Sequence, residues 1–226
     1  MFDAIVIQQP QGQAQQLMLL LHAEGAIPQS MVPLGTRLAE EFPQALVVSV
    51  QAPQAGTQGQ GFEWFSPHAI TEDSWPTRVA EAMPALLRMV QAWQERSGLP
   101  PEATALVGFS QSATMVYEAS QREELLAARL VGIAGRFAQL PSAPHGHSTI
   151  HMFHGKSDLV THYGYTISAA EQLVALGADV TAEVIPHVGH EISAEVVDRV
   201  IERLRGHLPK RLWEAGVQNN AHPLVE

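Results

Sequence analysis

The sequence predicts an α/β protein whose mostly parallel sheet is covered by helices on both faces. Short apolar runs alternate with longer amphipathic segments along the 226 residues, the pattern that yields such a sheet. The run at 17–21 is apolar throughout, as expected of a strand buried on both sides. Hydrophobic residues make up 46% and charged residues 16% of the chain, enough for a substantial core.

Residues 4–8 alternate in polarity and predict an edge strand ahead of the 17–21 strand. Leu34, Leu38 and Phe42 recur at helical spacing within 33–42, and 45–50 forms the next buried strand. Residues 51–70 read as a long loop, yet the loop carries Trp64 and Phe65; long loops of this kind are often functional. Val79, Met83, Leu86, Val90 and Trp93 mark a long helix, stopped by Ser97-Gly98 and Pro100. The series continues with strand 103–107, helix 112–120, strands 130–133 and 149–153, helix 163–176, strand 180–185 and helix 194–208. Beyond Pro209, Leu212 and Trp213 are expected to pack back on the body. No linker-like stretch divides the chain, so 1–226 reads as one domain.

The net charge is −10, from 13 basic and 23 acidic residues, with no basic run, which argues against nucleic-acid binding. No cysteine is present to supply a disulfide, a thiolate nucleophile or a thiolate metal site. The first residues lack the basic stretch of a signal peptide, and no apolar run approaches the roughly 20 residues of a membrane span. A cytoplasmic protein is expected.

Gly108-Phe109-Ser110-Gln111-Ser112 follows the strand at 103–107 and opens a helix. The string alone is weak; its position gives it weight. A sharp strand-to-helix turn exposes a serine nucleophile only where the residues two places either side are small, as Gly108 and Ser112 are. The plainer alternative is that Ser110 merely caps the helix.

A serine hydroxyl needs a base oriented by a carboxylate, and in folds of this kind the chain order is serine, acid, histidine. Asp158 lies just past the strand at 149–153, and His190 lies between the strand at 180–185 and the last helix. Ser110, Asp158 and His190 are thus expected to emerge from one sheet edge, where open α/β sheets bind ligands. Asp158 could instead cap the following helix. His187 competes with His190, which is preferred because Gly189 suits an exposed turn.

His145, His147, His151 and His154 raise the question of a metal. His151 and His154 sit an odd number apart on a strand and so face opposite sides, and no carboxylate cluster accompanies them. No metal site is expected.

Acyl transfer also needs donors for the oxyanion of the tetrahedral intermediate. The backbone N–H of Gln111, after the nucleophile, supplies one, and position nominates the backbone N–H of Glu24 for the other. The Glu24 side chain is expected to face solvent; pointing inward, it would discourage anionic substrates. Trp64 and Phe65 either wall a substrate pocket or anchor their loop to the core.

Leu19-Leu20-Leu21-His22, Phe42-Pro43-Gln44-Ala45, Glu63-Trp64-Phe65, Gly108-Phe109-Ser110-Gln111, the stretch His154-Gly155 through Asp158, and Gly189-His190 together carry a family resemblance. Over nearly its whole length the chain resembles the phospholipase/carboxylesterase family of α/β-hydrolases, the branch of small bacterial carboxylesterases and acyl-protein thioesterases. The resemblance implies a three-layer α/β-hydrolase fold with a mostly parallel central sheet. It implies Ser110 as nucleophile, His190 as base, Asp158 as its orienter, the Gln111 and Glu24 amides as oxyanion donors, and no metal or organic cofactor. Two departures stand out. Ala23 replaces a glycine after the histidine, implying a differently shaped oxyanion loop, and Ser112 replaces the last glycine of the turn, crowding the helix slightly.

The expected activity is that of a serine carboxylesterase acting on small, uncharged acyl esters through an acyl-enzyme. The alternatives are a thioesterase or lysophospholipase using the same triad on longer acyl chains, and a hydrolase-fold protein that has lost catalysis and binds a small ligand. The expected partner is a small-molecule ester. A homodimer is compatible with the family, although no apolar stripe demands one.

Overall fold

The computed structural model describes residues 3–57, 61–143 and 147–212; His145 and Trp213, both weighed above, lie outside them. Seven strands form the main sheet: β1 (Ala4–Gln8), β2 (Gln16–Leu21), β3 (Ala45–Val50), β6 (Thr104–Phe109), β7 (Arg129–Ile133), β8 (Thr149–Gly155) and β9 (Asp179–Ile185). Their spatial order is β1-β3-β2-β6-β7-β8-β9, with β1 antiparallel at the edge and every other pairing parallel. The helices are α1 (Val32–Glu41), α2 (Trp75–Ser97), α3 (Gln111–Ala119), α4 (Gly164–Ala175) and α5 (Ala194–Gly206).

Alternation along each strand decides which face a helix covers. In β2, Leu17, Leu19 and Leu21 join one apolar cluster with Leu86 of α2, Val116 of α3 and Leu173 of α4. Met18 and Leu20 join the opposite cluster with Leu34 and Leu38 of α1 and Val200 of α5. Three layers result, and strands such as β3, buried at every position, read as uninterrupted apolar sequence for that reason. Each large core side chain, Leu19 or Leu106 for example, is worth about 2–5 kcal/mol against truncation to alanine.

The sequence reading errs in the 51–70 segment, which holds a second, two-stranded sheet of β4 (Gln54–Ala55) and β5 (Phe62–Glu63). Two-residue strands leave no periodicity to read. Its far strand ties back to the loop after β2 through the Gly25 N–H to Phe62 carbonyl bond, 3.0 Å, so this hairpin sits against the sheet edge that carries the site.

Past α5 the chain turns back at the opposite edge. The Lys210 N–H donates to Asp179 at 2.9 Å, and Leu212 stays largely exposed.

Candidate active site

Ser110 stands between β6 and α3 with φ 59° and ψ −118°, a left-handed conformation costing about 1–3 kcal/mol in a residue other than glycine. The turn is held by its neighbours. The Ser110 N–H donates to the Ile133 carbonyl at 2.9 Å, and the Ser110 carbonyl accepts from the Ala113 N–H at 3.0 Å. A Cβ added at Gly108 would lie 2.5 Å from the Ser112 carbonyl oxygen, so only glycine lets the strand approach the helix this closely.

Asp158 follows β8 and His190 follows β9, at the same sheet edge as Ser110. His190 Nε2 lies 2.9 Å from Ser110 Oγ, and His190 Nδ1 lies 2.8 Å from Asp158 Oδ2. The three predicted side chains are therefore joined by hydrogen bonds in one line. His187 is exposed and takes no part in this line. The left-handed residue of its loop is His187, φ 63°, not Gly189. Gly155 matters more to this loop, because a Cβ there would meet the Val188 carbonyl oxygen at 2.3 Å.

Asp158 is 5% exposed. Burial alone would raise its pKa, but hydrogen bonds from the Thr161 N–H, the His190 ring and the Val160 N–H outweigh it and hold the carboxyl below the usual aspartate value. His154, on β8, also supports this carboxylate. Its Nε2 lies 2.8 Å from the Thr161 carbonyl and 3.3 Å from Asp158 Oδ2, while Nδ1 lies 2.8 Å from Thr166 Oγ1. Since a carbonyl only accepts, the proton sits on Nε2, and burial pushes the His154 pKa down, keeping the ring neutral. His151 faces the other side of β8, against Thr181 and Arg129. Among the described residues, no three His, Asp or Glu side chains converge to hold a metal.

Gln111 opens α3, so its N–H has no acceptor within the helix and is left for a ligand near Ser110. Its side chain joins two loops: Oε1 accepts from the Trp64 N–H at 2.8 Å, and Nε2 donates to the Phe65 carbonyl at 2.9 Å and to Glu24 Oε2 at 3.1 Å. Glu24 follows β2 at the same edge. Contrary to expectation, its carboxylate turns inward and lines the cleft beside Ser110. Ala23 is outside the left-handed region, and the positive φ of this loop falls at Gly25, 70°, so alanine is accommodated without backbone strain.

Ser112 also departs from expectation. It does not merely crowd the helix: its hydroxyl donates to the His22 carbonyl and accepts from Trp64 Nε1 at 3.0 Å. Trp64 is thereby fixed in the core, 2% exposed, and does not line the cleft. Of the two aromatics, Phe65 alone does so, packed edge-on to Trp75 with ring centroids 6.1 Å apart.

The cleft at Ser110 has a volume of about 170 Å³, with Glu24, Phe65, Trp75, Arg136 and Thr161 among its walls. A second, more apolar cavity of about 520 Å³ opens beyond His190, against Ala23, Met31, Leu34, Phe109 and Ile192. Arg136 was not singled out in the sequence. It makes a bidentate pair with Glu72, 2.9 and 2.8 Å, and its guanidinium lies 4.2 Å from the centre of the Trp75 ring and 4.7 Å from that of Tyr165. The local sequence Gly135-Arg136 gives no sign of these contacts, whose partners Glu72, Trp75 and Tyr165 lie far along the chain.

Residues 2–208 match the family described as Phospholipase/Carboxylesterase. The chain is 39% identical over 212 residues to Esterase YpfH of Escherichia coli (strain K12), covering 94% of this chain and 91% of that protein. Among solved structures it is similar to esterase PE8, with a TM-score of 0.82 at 24% identity over 92% of this chain and 99% of that one. It is also similar to the Bacillus cereus carboxylesterase, TM-score 0.74 at 16% identity over 89% and 92%. At these identities the two structures attest the fold alone.

Proposed function

The chain belongs to the phospholipase/carboxylesterase family, and on that premise we propose that it is a serine carboxylesterase hydrolysing small acyl esters through an acyl-enzyme. The observation that carries this reading is the unbroken line Ser110–His190–Asp158, with contacts of 2.9 and 2.8 Å. The similarity to a protein named an esterase supports it.

His190 Nδ1–H donates to Asp158, leaving Nε2 as the acceptor for the Ser110 proton. As that proton moves to Nε2, Ser110 Oγ attacks the ester carbonyl carbon, and negative charge develops on the carbonyl oxygen. The Gln111 and Glu24 backbone N–H groups are assigned to receive it; one such donor is worth about 3–4 kcal/mol of barrier in comparable sites. The imidazolium then protonates the departing alkoxide, releasing the alcohol and leaving Ser110 acylated. Water, deprotonated by the same Nε2, attacks the acyl carbon, and His190 returns the proton to Ser110 as the acid leaves. No metal or organic cofactor enters these steps. Phe65 is assigned to the substrate pocket and Trp64 to anchoring its loop through Ser112.

A second reading has an observation of its own. The apolar cavity beyond His190 offers room for a longer acyl chain, which suits a thioesterase or lysophospholipase using the same triad. A chain-length series of p-nitrophenyl esters, run beside an acyl thioester, separates the two. The highest kcat/KM is expected on short acyl esters; a steep optimum at long chains or on the thioester contradicts the carboxylesterase reading. Absence of turnover on every ester favours a ligand-binding role instead.

A further inference from the structure

The cleft beside Ser110 is walled by the Glu24 carboxylate and the Arg136 guanidinium, and the two charges are not equivalent. Arg136 directs two nitrogens to Glu72, and its plane is flanked by the Trp75 and Tyr165 rings. Two of its five N–H donors go to Glu72, which pairs with its charge within the chain. Among the described residues, Glu24 has no such counterion. Its Oε2 accepts from the neutral Gln111 side chain, and Oε1 has no hydrogen-bond partner among the described residues.

Glu63 lies nearby, 2% exposed, and its own Oε1 is buried with no partner among the described residues. Burial raises the Glu24 pKa, and Glu63 beside it raises it further. Among the residues lining the cleft, Arg136 is thus compensated by Glu72, while the Glu24 carboxylate is paired with no cation among the described residues.

We infer that Glu24 makes this cleft selective for esters bearing a positively charged group on the part of the substrate that lies beside Ser110. The inference rests on the esterase reading and narrows its substrate class. A cation seated at Glu24 Oε1 gains an ion pair in a partly enclosed site, where the attraction exceeds its value in bulk water. An anionic group meets the Glu24 carboxylate as repulsion, while the Arg136 charge on the other wall is already paired with Glu72.

The test is a charge series at fixed shape and low salt. kcat/KM is measured for acetylcholine, for its neutral isostere with a tertiary butyl group replacing trimethylammonium, and for a carboxylate-ended acetate ester of similar length. The cationic ester is expected to exceed the neutral one by about tenfold, equivalent to one modest ion pair, and the anionic ester to fall below both. In Glu24→Gln the cation-to-neutral ratio is expected to approach one, whatever the variant's absolute rate. Raising the ionic strength should shrink the wild-type ratio, which keeps the test decisive even if the variant turns over too slowly to measure. A wild-type ratio of one or less, a ratio insensitive to salt, or one unchanged in Glu24→Gln overturns the inference while leaving the esterase reading standing. Failure to hydrolyse all three esters overturns both.

Discussion

At Ser110 the hydroxyl proposed as the nucleophile is placed by the backbone. The residue holds φ 59° because β6 must turn sharply into α3, and the turn aims Oγ at His190. Replacing Ser110 with alanine removes the hydroxyl and leaves the turn, so turnover should fall by about 10⁶-fold with stability within about 1 kcal/mol of wild type. Residual hydrolysis near the wild-type rate, with urea unfolding unchanged, would place the nucleophile elsewhere. Asp158→Asn probes the orienting role. Asparagine can keep the Oδ1 contacts to the Val160 and Thr161 N–H groups but presents an amide donor to His190 Nδ1, favouring the wrong tautomer. kcat should drop by about 10⁴-fold with KM little changed. A loss under tenfold would mean that His190 is oriented by something else. The place of Ser110 at a sharp turn beside His190 could be read from chain order and local turn geometry. The inward turn of Glu24 could not, because the Gln111 amide that holds it is distant in sequence.

At the scale of elements, the site depends on how the loop after β2 and the Trp64 segment are fastened to α3. Ser112 does both through one hydroxyl, to the His22 carbonyl and from Trp64 Nε1. Ser112→Ala would leave a buried indole N–H unsatisfied, and a destabilisation of about 2 kcal/mol is expected in urea unfolding. An unchanged midpoint would show that another acceptor takes over. The sequence reading treated Ser112 only as a small residue, because its partners belong to segments 48 and 90 positions away. The strands and helices of the main layers were legible, since burial on one or both faces imposes its period on the sequence. The hairpin of β4 and β5 was not, because two-residue strands impose none.

Over the whole molecule, buried histidines set an acid limit. Burial, aided by the charges of Arg129 and His207, lowers the His151 pKa from 6.5 to about 3. Burial also lowers those of His22 and His154. The unfolded chain binds these protons near 6.5 and the folded chain does not, so stability is full above that pH and falls as pH drops toward about 3. Glu24 and Glu118, raised by burial, act in the opposite sense. Each buried histidine contributes a slope of up to about 1.4 kcal/mol per pH unit. Unfolding free energy should therefore be lower at about pH 5 than at about pH 7.5, and His151→Gln should lessen that difference. An equal difference in the variant would remove His151 from the account. The layered architecture and the edge at which Ser110, Asp158 and His190 meet were readable because each of the three follows its own strand. The charge balance of the cleft was not, since Arg136, Glu72, Trp75 and Tyr165 meet only in the folded chain.

The most direct measurement is reaction of the folded protein with a fluorophosphonate probe, followed by peptide mapping of the adduct. The expected result is one phosphonylated residue, Ser110, with labelling abolished in Ser110→Ala and strongly slowed in His190→Ala. An unlabelled protein, or an adduct on any other residue, would contradict the assignment of Ser110 as the nucleophile.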